Sequence, residues 1–308
     1  MFLKVNLRRA RLVYTLAMVL AISWGEATSS LAQSLTVLVT GGYRGRAQGC
    51  NCPSGSEGGL ARRASSISEH FPGQFLFSVD AGGFLDLDPG VGKNYSLCSL
   101  KGLQKLGLQT AAVTTRDLFF GLPFLRQLAD SIKLDLVCAN LIAADTGKPL
   151  FPAWVVKECN GWRIAIGGLA QHEPGRRFPG LGQWETVPVD SVIAVFIANE
   201  PPACDLTILL TDLNERSLRE LIPQFPGLEA VITSSRQVYT PSPFQVGRTV
   251  VIHPEPSGGA VDGFTIDKGQ DQVDLNHVFA YPLTRDTPSD SNFMSWLEGC
   301  LNGLPEVK

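Results

Sequence analysis

The chain has 308 residues, 44% hydrophobic and 18% charged, with a formal net charge of −3. That composition excludes a disordered or fibrous chain and supplies a core large enough for one big domain or two small ones. The small acidic excess counts against nucleic-acid binding, which draws on a basic surplus.

Residues 1–32 begin with Lys4, Arg8, Arg9 and Arg11, continue with an apolar run from Leu12 to Trp24, and end on small residues around Ser30 and Ala32. Basic, apolar and small segments in that order read as a secretory signal, with cleavage expected after Ala32 and delivery to the periplasm or the extracellular space. The alternative is an uncleaved anchor, but this run is shorter than the roughly 20 apolar residues that cross a bilayer. No later segment is apolar for long enough, so no membrane span is expected after removal of the signal. The mature chain keeps 22 basic and 28 acidic residues, a net charge of −6, and nucleic acid is not an expected partner. In an oxidising compartment disulfides persist, and seven cysteines leave at least one free, metal-bound or joined to another molecule.

From there, short apolar runs alternate with helical patterns, as in strands covered by crossover helices. The predicted strands are Leu35–Thr40, Phe75–Asp80, Ala111–Thr114, Leu134–Ala139, Asp205–Leu210, Leu228–Thr233 and Arg248–His253. The predicted helices are Gly59–Phe71, Tyr95–Leu106, Leu122–Lys133, Pro188–Ala198 and Glu215–Phe225. Between them "AWVVKECNGWRIAIGGL" reads as a hairpin, because Asn160-Gly161 supplies the positive φ angles of a tight turn. An antiparallel hairpin in an otherwise alternating chain points to two packed sheets. The stretch from Gly168 to Val187 reads as an irregular surface excursion. Beyond Gln270 the pattern fades, apart from "FMSWLEGCL", an amphipathic run expected to dock as a C-terminal helix carrying Cys300.

Several chemistries find no support. "DPGVGKN", Asp88–Asn94, lacks the early Gly and the Ser or Thr after Lys93 that a phosphate-cradling loop needs, and reads as a surface turn. His70, His172, His253 and His277 show no metal-ligand spacing, and no Gly-x-Ser-x-Gly elbow is present.

Taken in order, the segments resemble the catalytic domain of the calcineurin-like metallophosphoesterases, in particular the secreted 5'-nucleotidase branch. "LTVLVTGGYRGR" is similar to the first strand and ligand loop, "EGGLARRASSISE" to the following helix, and "FLFSVDAGGFLD" to the second strand and its turn. "GLQKLGLQTAAVTTRDLFFG", "ECNGWRIAIGGL", "CDLTILLTDL" and "LEAVITSSRQ" follow in the family's order, so the match runs from about Leu35 to Asp267. The resemblance implies an α/β fold, a four-layer metallophosphoesterase-like sandwich of two mixed β-sheets flanked by helices, over residues 33–308. No counterpart of the separate C-terminal substrate domain of full-length 5'-nucleotidases is expected.

The same resemblance marks the positions where that family holds two metal ions, and here the ligands differ. The first-strand pair is replaced within "GGYRGR". Gly83 stands at the bridging Asp, Thr115 and Arg116 at the Asn-His pair, Asp212 at the lone His, and Ser234 and Arg236 at the final histidines. Asp80 and Asp117 lie beside these positions as vestigial site residues. A metal brings the pKa of bound water from about 15.7 to about 7, and no remaining side chain replaces that. The usual dimetal centre and its phosphoester hydrolysis are therefore expected to be absent. The alternative is an active hydrolase with a metal site rebuilt from Cys50, Cys52, Asp80, Asp117 and Asp212.

The replaced first loop carries Cys50 and Cys52 among Arg44, Arg46, Arg62 and Arg63, and three readings compete. The thiols are redox-active or bind one thiophilic metal, favoured as thiolates by nearby cations. Alternatively, they form ordinary disulfides, with Cys98 a candidate partner. In the third reading the glycine amides and arginines, with Arg116, bind a small anion or a phosphorylated ligand. Asp80 is expected to orient the turn after its strand, Asp117 to pair with Arg116, and Asp212 to act as a ligand or to cap the next helix. Cys138, Cys159 and Cys204 are expected as buried thiols.

Overall fold

The computed structural model describes residues 34–49, 58–74, 76–172, 182–235, 243–270 and 272–303. The expected signal segment, Cys50, Cys52 and Arg236 lie outside the described residues.

The first strand, β1 (Ser34–Thr40), sets the plan. Strand side chains alternate between faces. Val37 and Val39 thus enter an apolar layer with Phe77 and Val79, while Leu38 turns the other way onto Ile67 and Phe71. The chain continues through α1 (Leu60–His70), β2 (Leu76–Asp80), α2 (Gly92–Lys105), β3 (Leu108–Ala112), α3 (Leu122–Ile132), β4 (Asp135–Val137) and β5 (Leu141–Ala143). The second half follows as β6 (Trp154–Cys159), β7 (Trp162–Leu169), β8 (Trp184–Thr186), α4 (Val189–Ala198), β9 (Leu206–Thr211), α5 (Glu215–Leu221) and β10 (Ala230–Thr233). It closes with β11 (Phe244–Val246), β12 (Thr249–Ile252), β13 (Ala260–Asp267), β14 (Val278–Pro282) and α6 (Ser291–Asn302).

These strands make two six-stranded sheets, β14-β13-β1-β2-β3-β4 and β11-β12-β10-β9-β7-β6, and the small pair β5-β8. In the first sheet β1 to β4 run parallel and β13 returns antiparallel beside β1. In the second β7, β9, β10 and β12 run parallel, with β6 and β11 antiparallel at the edges. Phe77, Val79 and Phe264 of one sheet meet Ile166, Ile208 and Ile232 of the other in the layer between them. Leu103, Leu125 and Leu128 cover the outer face of the first sheet, and Ile193, Phe196 and Leu218 that of the second. Two mixed sheets flanked by helices thus form the expected four-layer sandwich. Among the described residues no helix is long and apolar enough to cross a membrane.

The hairpin forms as predicted, with Asn160 and Gly161 both at positive φ (46° and 76°). Other boundaries move for local reasons. The predicted strand Ala111–Thr114 is β3, three residues earlier at Leu108–Ala112, because Thr114 opens a capping box with Asp117. The predicted helix Glu215–Phe225 ends at Leu221, and Ile222–Gln224 tighten into a 3-10 turn around Pro223. "DPGVGKN" is not wholly a surface turn: Asp88 accepts from Gly90 N and Val91 N, and α2 starts at Gly92. The fading tail holds β14 and α6, and α6 docks through Leu297 and a Cys98–Cys300 disulfide.

Candidate functional site: the strand tips and the first loop

The C-terminal ends of the parallel strands in both sheets come together, the edge where open α/β sheets bind ligands. Ser234, just past β10, donates from Oγ to Ala81 O at 2.9 Å and so ties the second sheet's tips to the first.

On the first sheet, pairing continues beyond the ends of the strands. Gly42 N reaches Gly82 O at 2.8 Å, Arg44 N reaches Gly83 O at 3.1 Å, and Gly45 N reaches Phe84 O at 2.7 Å. Gly83 has φ +73°, and a Cβ there would lie 3.3 Å from Gly42 Cα. Gly83, which the sequence resemblance sets at the bridging carboxylate, is thus pressed against a second glycine of the first loop, and neither has a side chain to offer a metal.

Two fully buried carboxylates hold this edge. Asp80 accepts from Thr40 Oγ1 at 2.6 Å and from Gly82 N at 2.7 Å. Asp117 is more heavily engaged. Its Oδ2 accepts from Gly83 N (2.8 Å), Thr114 N (3.0 Å) and Thr114 Oγ1 (2.7 Å). Its Oδ1 accepts from Phe84 N at 2.9 Å and Leu85 N at 3.3 Å. Asp117 thus staples the turn after β2 to the turn after β3, rather than pairing with Arg116 as expected. Burial pushes the Asp80 carboxyl up to about 7, against the hydrogen bonds from Thr40 and Gly82. Burial also raises Asp117, against the bonds from Gly83 and Thr114. Asp80 orients its turn, as expected.

On the second sheet Asp212 and Ser234 are half-buried, while Thr211 and Thr233 are buried. Asp212 Oδ1 accepts from Gln171 N at 2.6 Å, joining the tips of β9 and β7. It does not cap α5; Asn214 does, accepting from Ser217 N at 3.0 Å. His253 lies at the tip of β12, stacked on Phe244, and is not fully satisfied, since its buried Nδ1 has no hydrogen-bond partner. Burial lowers its pKa.

A metal pair needs several open donors around one point. Among the described residues no three His, Cys, Asp or Glu side chains are grouped to hold a metal ion. Asp117 is closed by its own turn, and Gly42 and Gly83 offer no side-chain oxygen. Cys50 and Cys52, which the rebuilt site would also use with Asp80, Asp117 and Asp212, lie outside the described residues.

The stem of the first loop is well defined. Leu60 N donates to Ala47 O at 3.0 Å, and a Cβ on Gly59 would lie 2.7 Å from Gly49 N, so the two ends of the loop touch. The stem opens α1, placing helix amides beside the chain that leads to Cys50. A cleft of about 250 Å³ adjoins it, lined by Gln48, Gly49, Arg62, Met294 and Leu297 among others. The wall supplied by α6 is bolted to α2 by Cys98–Cys300, with Cα atoms 5.9 Å apart. Cys98, expected as a redox or metal candidate or as a partner for the loop thiols, is thus bridged to Cys300. Cys138 and Cys159 are buried free thiols, whereas Cys204 is half-exposed.

Of the arginines, Arg46 is exposed, while Arg44 and Arg116 are half-buried and engaged. Arg63 is not part of the cationic surface that the sequence suggests. It is 1% exposed and runs inward to Ala260 O. Tyr43, also 1% exposed, and Asp262 share this interior, a cluster that sequence reasoning missed. The one local hint was the spacing of Arg63 from Leu60 and Ile67 on the covered face of an amphipathic helix.

Neither a protein-family model nor a curated protein sequence matches the chain. Solved structures do. The sulfate thiohydrolase SoxB of Thermus thermophilus, in complex with glycerol, superposes with TM-score 0.69 at 13% identity over 87% of this chain and 60% of its own. A 5'-nucleotidase precursor, also from Thermus thermophilus, gives 0.67 at 15% identity, over 88% and 59%. The calcineurin-like phosphoesterase YfkN from Bacillus subtilis gives 0.59 at 16% identity, over 88% and 98%. The fold is the one shared by calcineurin-like phosphoesterases and 5'-nucleotidases, as the sequence resemblance implied. The chain spans about six-tenths of the length of the first two of these proteins.

Proposed function

We propose that this chain is an exported protein on a metallophosphoesterase scaffold that has lost dimetal phosphoester hydrolysis and acts through its first loop. One observation carries the first half: at the tips of β1 and β2 two glycines touch where the family's ligands belong, while the nearby Asp117 is saturated by four amides and a hydroxyl. With no group of open carboxylates or imidazoles among the described residues to seat two cations, this reading has no metal-bound hydroxide at neutral pH.

The second half rests on the loop stem. A helix N-terminus stabilises negative charge, whether a thiolate or a bound anion. Cys50 and Cys52 follow directly on the stem that meets α1. The reading is redox exchange, one thiophilic metal, or a small phosphate-like anion at that loop. Export is supported by the order of basic, apolar and small residues in 1–32 and by the Cys98–Cys300 bridge, since disulfides persist in oxidising compartments.

The experiment supplies Mn²⁺, Zn²⁺ or Fe²⁺ to the purified full chain and follows hydrolysis of bis(p-nitrophenyl) phosphate and AMP. No rate above the metal-only blank is expected. A chelator-sensitive rate would restore the hydrolase reading. Thiol counts with and without reductant, compared with Cys50→Ser and Cys52→Ser, test the loop; bridges that strong reductants barely open would remove the redox role.

A further inference from the structure

Behind the tips of β1 and β2 lies a polar interior that the proposed function does not use. Tyr43 enters it from the first loop, Arg63 from the first turn of α1, Asp80 from β2 and Asp262 from β13, all 5% exposed or less. Arg63 donates from Nη1 to Ala260 O at 2.8 Å, and its Nη2 has no partner. The Tyr43 hydroxyl has none either.

Both groups lie against the same short segment. A Cβ on Gly258 would come within 2.8 Å of Tyr43 Oη, and two residues on Ala260 holds the Arg63 guanidinium. Burial lowers the pKa of Arg63 and pushes that of Tyr43 up to about 12, so the phenol keeps its proton and can donate. The carboxylates already have partners: Asp80 takes Thr40 and Gly82, and Asp262 Oδ2 takes Glu255 N at 2.9 Å.

A buried donor left unmade costs about 1–3 kcal/mol, and more when charged. Native interiors answer such groups with an ordered water or an ion. We propose that a small bound hydrogen-bond acceptor, a water molecule or a halide ion, sits in this interior and links Arg63 Nη2 to Tyr43 Oη. Two unpartnered donors set against one short segment call for an occupant with two free acceptor positions. Water can in turn donate to Asp80 or Asp262; a halide cannot, and competes with both carboxylates.

Tyr43→Phe tests this in the full chain, because it removes the hydroxyl and keeps the ring on Gly258. If the occupant is present, Tyr43→Phe lowers the thermal midpoint by about 2–4 °C. An unchanged or raised midpoint overturns the proposal, since deleting an orphan hydroxyl carries no loss. The wild-type midpoint measured in chloride, bromide and gluconate separates the sources. No dependence on the anion identifies water, and a rise with halide that Tyr43→Phe lacks identifies the ion. Independently of any variant, a high-resolution crystal structure grown with bromide should show density between the two groups, anomalous in the halide case. A void there also overturns the proposal.

Discussion

The strand tips of the two sheets differ although both carry an acid where the family resemblance places site residues. On the first sheet Asp80 and Asp117 are 0% exposed and accept the backbone N–H groups of neighbouring turns. On the second, Asp212 is half-buried and holds one strand tip to another. A buried carboxylate surrounded by donors has become part of the fold, whereas a half-exposed one is still replaceable.

The sharpest break in that contrast is Asp117→Ala. It leaves several buried donors unmade and should cost about 4 kcal/mol, read as a lower urea midpoint; a loss below about 1 kcal/mol would mean that the turns hold without it. Next comes Cys300→Ser, which releases α6 from α2 across a sequence separation of 202. An expected loss of about 2–4 kcal/mol, with faster hydrogen exchange in α6 and unchanged exchange at Asp117, would set covalent clamping apart from hydrogen-bonded stapling.

A pH series refines the first sheet's side of the comparison. Burial raises Asp80 to about 7 from the ordinary 3.8, and Asp262 to about 6. The folded state therefore holds protons that the unfolded state has released, and this stabilisation is complete only below the unfolded value of 3.8. It falls by about 1.4 kcal/mol per pH unit per group as pH rises, ending near pH 6 for Asp262 and near pH 7 for Asp80. Asp80→Asn should flatten that fall between pH 5 and 7.5 in urea unfolding; an identical slope would contradict the assignment. The smallest effect is expected at Asp212→Asn, a loss under about 1 kcal/mol because solvent can take over the Gln171 amide. A loss as large as that of Asp117→Ala would erase the distinction between the sheets.

The same difference governs what the sequence disclosed. Parallel strands such as "LTVLVT" and "LTILLT" are continuous apolar runs because both faces are covered, and they were legible with their helices. β13 was not, since Asp262 and Gly263 interrupt its apolar run, and β5, β8 and β11 are three residues each. Site positions could be placed at strand ends, but not their use. Nothing local tells that Asp117 faces five donors, and for Arg63 only its spacing from Leu60 and Ile67 hints that it turns inward while Arg62 stays half-exposed. Nor does the spacing of seven cysteines disclose a bridge between α2 and the last helix.

The most direct test of the central claim is the metal content of the full-length protein after incubation with excess Mn²⁺, Zn²⁺ or Fe²⁺ and desalting. The tips of β1, β2, β9 and β10 should retain no metal pair. Loading should give at most one equivalent, lost with Cys50→Ser and Cys52→Ser. Two equivalents that survive those substitutions and bring phosphoester hydrolysis with them would contradict the account.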